Sequence, residues 1–370
     1  MQVDSKFFLA ICCCFSLITG VGAQSNTGGH QKATVSWALG LQRGFIFAHS
    51  EAVQNTKGAN PNSIEAKIAW QRTDSAVWNL CNCYPRKGIT IAYYDFNTPI
   101  LGSGFSATYF LEPVYKLSSK LSFSFRAAAG LVYMNNKFDS TKNPANQSYS
   151  TALSMHTLVG LGLWYKMNDN WSINASFNYQ HTSNGGLKQP NKGVNFPTAG
   201  LLLSYQKQKS NYYSGVRTRN KHWKGKPWRW DATVFGIARR SLNGTNERLL
   251  LLGLNTQAAK QVGRMNNITI GAEVYTDEQL RLHLKQDSIS ASPVKVGLML
   301  GHEFILGKFL FTQHLGAYLF DQTPYYDAIY HRWGIRYRFN QNLGLGLSLK
   351  AHRHIAEFID LRITYSFSGK

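Results

Sequence analysis

The sequence predicts an all-β fold, an antiparallel transmembrane barrel of about 14–16 strands, and three observations carry that expectation. Segment after segment alternates apolar and polar residues with period two, the repeat of a strand whose successive side chains point to opposite faces. Beyond the N-terminus no stretch offers the roughly eighteen uninterrupted apolar residues of a membrane-spanning helix, which excludes helical spans. The 370 residues include 21 Phe, 19 Tyr, 9 Trp and 32 Gly, material for aromatic girdles and closely spaced strands.

Taken in order, residues 1–23 read as a secretory signal. Lys6 precedes the apolar run FFLAICCCFSLI, and Val21, Gly22 and Ala23 form a small-residue cleavage site before Gln24. The run is shorter than the ~20 residues a spanning helix needs. It absorbs Cys12, Cys13 and Cys14. The other two cysteines, Cys81 and Cys83, form a lone C-x-C, whereas a zinc site wants two such pairs; free thiols and a mutual disulfide both fit the spacing.

Strand-like segments then follow near 33–49, 64–73, 88–96, 104–116, 121–134, 153–166, 171–183, 195–206, 230–240, 247–258, 267–276, 293–305, 308–320, 328–339, 343–354 and 357–367. Their number is even, as in bacterial outer-membrane barrels. With a periplasmic N-terminus, long connections at 135–152, 184–194 and 277–292 fall outside, and short turns near 117–120, 167–170, 307 and 340–342 fall inside. Two connections break the rule, the cysteine-containing 74–87 and the long 207–229.

The second of these interleaves Arg217, Arg219, Lys221, Lys224, Lys226 and Arg229 with Trp223, Trp228 and Trp230, a composition suited to an anionic membrane interface. It divides the strands evenly. The chain is therefore expected to comprise a barrel unit at 24–210, a basic Trp-rich connection at 211–229 and further barrel strands at 230–370, either as two units or as one wide barrel. The runs LLLLGL at 249–254 and GLMLG at 297–301 suggest a partly filled interior.

The formal net charge of +21 points to acidic partners, lipid phosphates among them. No nucleic-acid fold signature accompanies it, and an export signal argues against nucleic acid.

The chemistry concentrates in 171–197. Trp171, Ile173, Ala175, Phe177, Tyr179, His181 and Ser183 share one face, with Ser172, Asn174, Ser176, Asn178, Gln180 and Thr182 on the other. About twelve steps of ~3.3 Å, tilted ~45°, climb ~28 Å, close to the ~25 Å apolar band of an outer-membrane barrel. His181 and Ser183 thus reach one interface on the lipid-facing side, where polar residues are costly. Side chains at i and i+2 of a strand lie roughly 6–7 Å apart at Cβ, within reach of a hydrogen bond. Ser183 would act as nucleophile and His181 as its general base, because a serine hydroxyl is a poor nucleophile until a base takes its proton. Asn184, Gly185 and Gly186 follow, and an amide side chain or backbone N–H groups there could stabilise an oxyanion.

The H-x-S-N sequence at His181, Ser183 and Asn184, followed by Pro190, Asn191 and Gly193 in a Pro-Asn-x-Gly loop, resembles the lipid A 3-O-deacylase (PagL-type, or acyloxyacyl hydrolase) family. The resemblance implies an outer-membrane barrel of a Gram-negative bacterium whose Ser and His hydrolyse an acyl ester of lipopolysaccharide in the outer leaflet. It implies Asn184 as the oxyanion donor and a carboxylate, usually Glu, that orients the His. That position is Asn195 here, on the same face as His181 and Ser183. An amide oxygen can accept the His N–H and hold its tautomer. No metal and no organic cofactor are implied. His352 and His354 share a strand face, with no third ligand evident. The other class of function compatible with the sequence is a pore or a structural or adhesive barrel that kept the motif without activity. At the C-terminal end, LRITYSF with Tyr365 and Phe367 resembles the aromatic-ended last strand of outer-membrane barrels.

Overall fold

A computed structural model describes residues 32–214, 223–241, 247–353 and 355–368. The expected signal at 1–23, the basic stretch from Arg217 to Lys221, and His354 lie outside the described residues. The strands close into two antiparallel eight-stranded barrels. The first uses β1 (Thr34–Gly44), β2 (Asn62–Gln71), β3 (Arg86–Asp95), β4 (Ser103–Glu112), β5 (Val114–Lys116), β6 (Leu121–Met134), β7 (Leu153–Lys166), β8 (Trp171–Ser183) and β9 (Val194–Gln206). It closes where β1 pairs with β9, Leu39 facing Leu203. The second uses β10 (Arg229–Arg240), β11 (Arg248–Gln261), β12 (Asn266–Asp277), β13 (Val294–Leu306), β14 (Phe309–Phe320), β15 (Ile329–Arg338), β16 (Leu343–His352) and β17 (Ile355–Ser368). It closes between β10 and β17, Trp230 facing Phe367.

The segment read as one strand at 104–116 is two pieces of one barrel stave. Pro113 has no N–H to donate to the ladder, so β4 ends at Glu112 and β5 resumes the pairing with β6.

Inside and outside are reversed relative to a water-soluble protein. Leu39, Leu41, Ile91, Val159, Leu161, Phe177 and Leu201 face outward and are exposed, while the intervening polar residues are buried in the lumen. Such a wall is stable in lipid, because every backbone group of a closed barrel is paired and the apolar stripe meets hydrocarbon. In the first lumen Arg126 forks onto Glu65 (3.2 and 3.3 Å), Gln42 donates to Glu65 (2.8 Å), and Lys67 lies 4.0 Å from Glu112. In the second, Arg332 pairs with Asp360 (2.6 Å) and Glu273 (2.8 Å), and Arg229 with Glu303 (2.7 Å). The apolar runs at 249–254 and 297–301 fill the second interior in part, Leu251 packing in a buried cluster with Phe235, Tyr275 and Phe358. Each alternates, so that Leu251 and Met299 point inward while Leu252, Leu254, Leu298 and Leu300 point out. Ion pairs and uncharged hydrogen-bonding side chains line the rest of the lumen.

Connections differ sharply between the two ends. At one end, tight turns at 117–120, 167–170, 262–265 and 339–342 share the same backbone hydrogen bond, from the first turn residue to the carbonyl four residues on. Asn168 and Asn340 play the same part in their turns, each side-chain oxygen accepting two backbone N–H groups. The connection at 72–85 also lies at this end and carries a helix, Ser75–Cys81, capped by Asp74. Cys81 and Cys83 form a disulfide there. At the other end, 45–61, 135–152 and 184–193 are long, and a helix, Glu278–Gln286, fills the connection after β12. An apolar plug of Tyr94, Phe96, Leu101, Met134, Tyr149, Val194 and Phe196 caps the first lumen at this long-loop end.

Candidate active site

β8 and β9 lie in register such that His181 is directly opposite Asn195, and Ser183 follows His181 by one strand repeat on the same outward face. Three contacts join them. Ser183 Oγ is 3.0 Å from His181 Nε2, His181 Nδ1 is 2.6 Å from Asn195 Oδ1, and Asn195 Nδ2 is 2.9 Å from His49 Nδ1. All four residues are partly exposed on the outer wall rather than in the lumen. Behind them the inward neighbours Val194 and Phe196 belong to the apolar plug, and Thr182 Oγ1 is 2.9 Å from buried His156. The wall carrying the site is therefore packed on its inner side.

The arrangement can do specific chemistry. If Asn195 Oδ1 accepts the proton on His181 Nδ1, the lone pair of His181 lies on Nε2 and faces the Ser183 hydroxyl, the geometry of a base poised to activate a nucleophile.

The loop 184–193 supplies the surroundings. Asn191 Oδ1 accepts the Asn184 backbone N–H (2.9 Å), Gly193 N donates to Ser148 O (2.7 Å), and Lys192 N to Gln147 O (3.1 Å), which ties the loop to 135–152. Gly193 has φ +76°, and a Cβ built there would lie 2.7 Å from His181 Cε1. Glycine at this position lets the backbone bend into the left-handed region and leaves room for the imidazole. Asn184 is buried, donating from Nδ2 to Lys188 O (2.7 Å) and Ser150 Oγ (3.2 Å) and accepting the Gly186 N–H. Both hydrogens of its amide are engaged within the loop. Gly185 abuts Ile359 of β17, so the back of the loop rests on the second barrel.

Phe45 and Phe47, each 53% exposed, and Leu153, Tyr179 and Leu187 are exposed apolar side chains on the same strand as Ser183 and on nearby strands and loop. His49 was not singled out in the sequence. The segment 45–49, FIFAH, shows no alternation that would assign its faces, and only the ladder bonds from Phe45 N to Pro197 O (3.2 Å) and Phe47 N to Asn195 O (2.8 Å) bring His49 beside Asn195. His352 stacks on Tyr326 at 4.7 Å, and among the described residues no group of three metal-ligating side chains occurs.

Two closed barrels with apolar outer walls, the first bearing this site, define the class of the protein as an outer-membrane β-barrel of the Gram-negative envelope. Residues 64–206 match the family model described as lipid A 3-O-deacylase (PagL), and residues 228–369 match the one described as acyloxyacyl hydrolase, C-terminal domain. The chain belongs to the lipid A 3-O-deacylase (PagL) family. No curated protein matches it by sequence. Among solved structures it is similar to Neisserial surface protein A (NspA), at 12% identity and a TM-score of 0.33, over 48% of this chain and 99% of that one. It is also similar to the outer membrane enzyme PagL, at 15% identity and a TM-score of 0.32, over 45% of this chain and 97% of that one.

Proposed function

We propose that the protein is a serine esterase that removes an acyl chain from lipid A, with Ser183 as nucleophile, His181 as general base and acid, and Asn195 as the residue that orients His181. The observation that carries this reading is the continuous hydrogen-bonded chain from Ser183 through His181 to Asn195 on the lipid-facing wall. Family membership supplies the substrate class.

In the proposed reaction Ser183 Oγ attacks the ester carbonyl of the acyl chain while its proton passes to His181 Nε2. The carbonyl oxygen becomes an oxyanion, held by donors from the segment 184–186. Asn184 can donate to it by exchanging its longer bond, to Ser150, for the oxyanion, while its bond to Lys188 keeps the loop shape. Collapse breaks the ester C–O bond, and the departing sugar oxygen takes the proton from His181. Water then attacks the acyl-Ser183 ester, losing a proton to His181, and that proton returns to Ser183 Oγ as the fatty acid leaves. The apolar side chains of Phe45, Phe47, Leu153 and Leu187 would flank the acyl chain, which approaches through lipid rather than through water.

In this reading the long-loop end faces outward, where lipopolysaccharide forms the outer leaflet, and the tight turns face the periplasm. The ion-paired lumens speak against a pore. Mass spectrometry of lipid A from cells expressing the wild type or Ser183→Ala tests the proposal. Loss of one acyl chain with the wild type alone is the expected result. Identical, unmodified lipid A from both, with each protein folded in the outer membrane, would overturn it.

A further inference from the structure

We propose that His49 is a positioning residue that selects the working orientation of the Asn195 amide and, through it, the productive tautomer of His181. The inference rests on the esterase reading above.

An amide and a carboxylate differ as hydrogen-bonding partners. Either oxygen of a carboxylate accepts a hydrogen bond, so a half-turn about its axis changes nothing. An amide has one accepting end and one donating end. With Oδ1 toward His181, as found here at 2.6 Å, the imidazole carries its proton on Nδ1 and offers a lone pair to Ser183. With the amide turned over, Nδ2 would donate to His181 Nδ1, the ring proton would sit on Nε2, and the ring could no longer take the serine proton. In a serine triad the wrong tautomer costs on the order of ten-thousandfold in kcat. A site built on Asn195 therefore needs something that distinguishes the two ends of the amide.

His49 is placed to do so. Its Nδ1 is 2.9 Å from Asn195 Nδ2, on the side away from His181. If its ring proton sits on Nε2, His49 presents a lone pair at Nδ1, which accepts from the amide nitrogen and would clash electrostatically with the amide oxygen. The four residues then form one directional chain, Ser183 donating to His181, His181 to Asn195 and Asn195 to His49. Bonds aligned in this way polarise one another. The backbone fixes His49 in place, because the chain beyond β1 continues the ladder against β9 through Phe45 N and Phe47 N. Alternation from these residues puts Phe45, Phe47 and His49 on the outward face together with Asn195.

The decisive experiment is a double-mutant cycle on the purified full-length protein in detergent micelles, with lipid A as substrate. His49→Ala is expected to lower kcat about 10- to 100-fold with little change in KM, part of the full tautomer penalty. In the Asn195→Asp background the same change should cost at most about threefold, since a carboxylate needs no orientation. Equal losses in both backgrounds would mean that His49 only packs, and would overturn the proposal. A second pair keeps the test decisive if the alanine variant does not fold. Gln at 49 can accept from the amide and should recover most of the activity, whereas Arg only donates and should not; equal activity of His49→Gln and His49→Arg would also overturn it. ¹⁵N-histidine NMR reads the tautomer without turnover. Wild type should hold His181 as the Nδ1–H form, and His49→Ala should populate the Nε2–H form. An unchanged tautomer in the variant sinks the role of His49. A tautomer shift in a protein that leaves lipid A untouched sinks the esterase reading instead and leaves the role of His49 standing.

Discussion

Gly193 sits against the His181 ring with φ +76°, and that contact yields the sharpest single-residue prediction. Gly193→Ala places a methyl 2.7 Å from His181 Cε1 in a backbone conformation that L-residues resist, so the imidazole must shift. Displacements near 1 Å cost on the order of a hundredfold in rate. Michaelis–Menten analysis should thus find kcat down about 10- to 100-fold with KM nearly constant, and an unchanged kcat would contradict the contact. Residue-scale chemistry was only partly legible in the sequence. Positions 181, 183 and 195 could be placed on one face because period two counts residues reliably along β8 and β9. Their hydrogen bonds required the cross-strand register, which puts Asn195 opposite His181 rather than opposite a neighbour. His49 was out of reach, since FIFAH has no alternation and its partner lies 146 residues away. The engagement of the Asn184 amide with Ser150 and Lys188 depended on how two long loops fold against each other, which no local pattern encodes.

At the level of elements, the strands were legible wherever one face meets lipid and the other meets polar lumen, because a slip of one residue would exchange the two. What fills the lumen was not. Arg126 on β6 reaches Glu65 on β2 and Asn178 on β8, tying together staves distant in sequence. Removing one partner of such a buried pair leaves the other charge uncompensated, typically at a cost of about 3–5 kcal/mol. Arg126→Ala should lower the urea midpoint of the refolded barrel accordingly. Arg126→Met combined with Glu65→Leu should regain most of that loss, because the double change removes both charges and keeps volume. Equal instability of the single and double variants would show that the pair is not what crosses this lumen. The β4–β5 break illustrates the opposite case, a feature written in one residue. Pro113 interrupts the ladder without interrupting the stave, and the pairing with β6 continues past it.

For the whole molecule, sixteen staves could be counted from the sequence, but not how they close, since period two assigns faces and not partners. Closure into two barrels follows from the pairing of β1 with β9 and of β10 with β17. Both lumens are crossed by ion pairs, so insertion into planar bilayers should give no steady conductance steps, and defined single-channel openings would contradict the packed interiors. The amide at position 195 has a consequence for where such a molecule can carry its chemistry. Neutral imidazole, hydroxyl and carboxamide bear no formal charge, so the outer wall can hold the resting site at the edge of the hydrocarbon, where an anchored carboxylate would draw in water or thin the bilayer around it. In the proposed mechanism charge would arise there only during turnover, as an imidazolium and an oxyanion formed together and largely cancelling. In that mechanism the depth at which the wall meets acyl chains would be set by the substrate rather than by the solvation of the site.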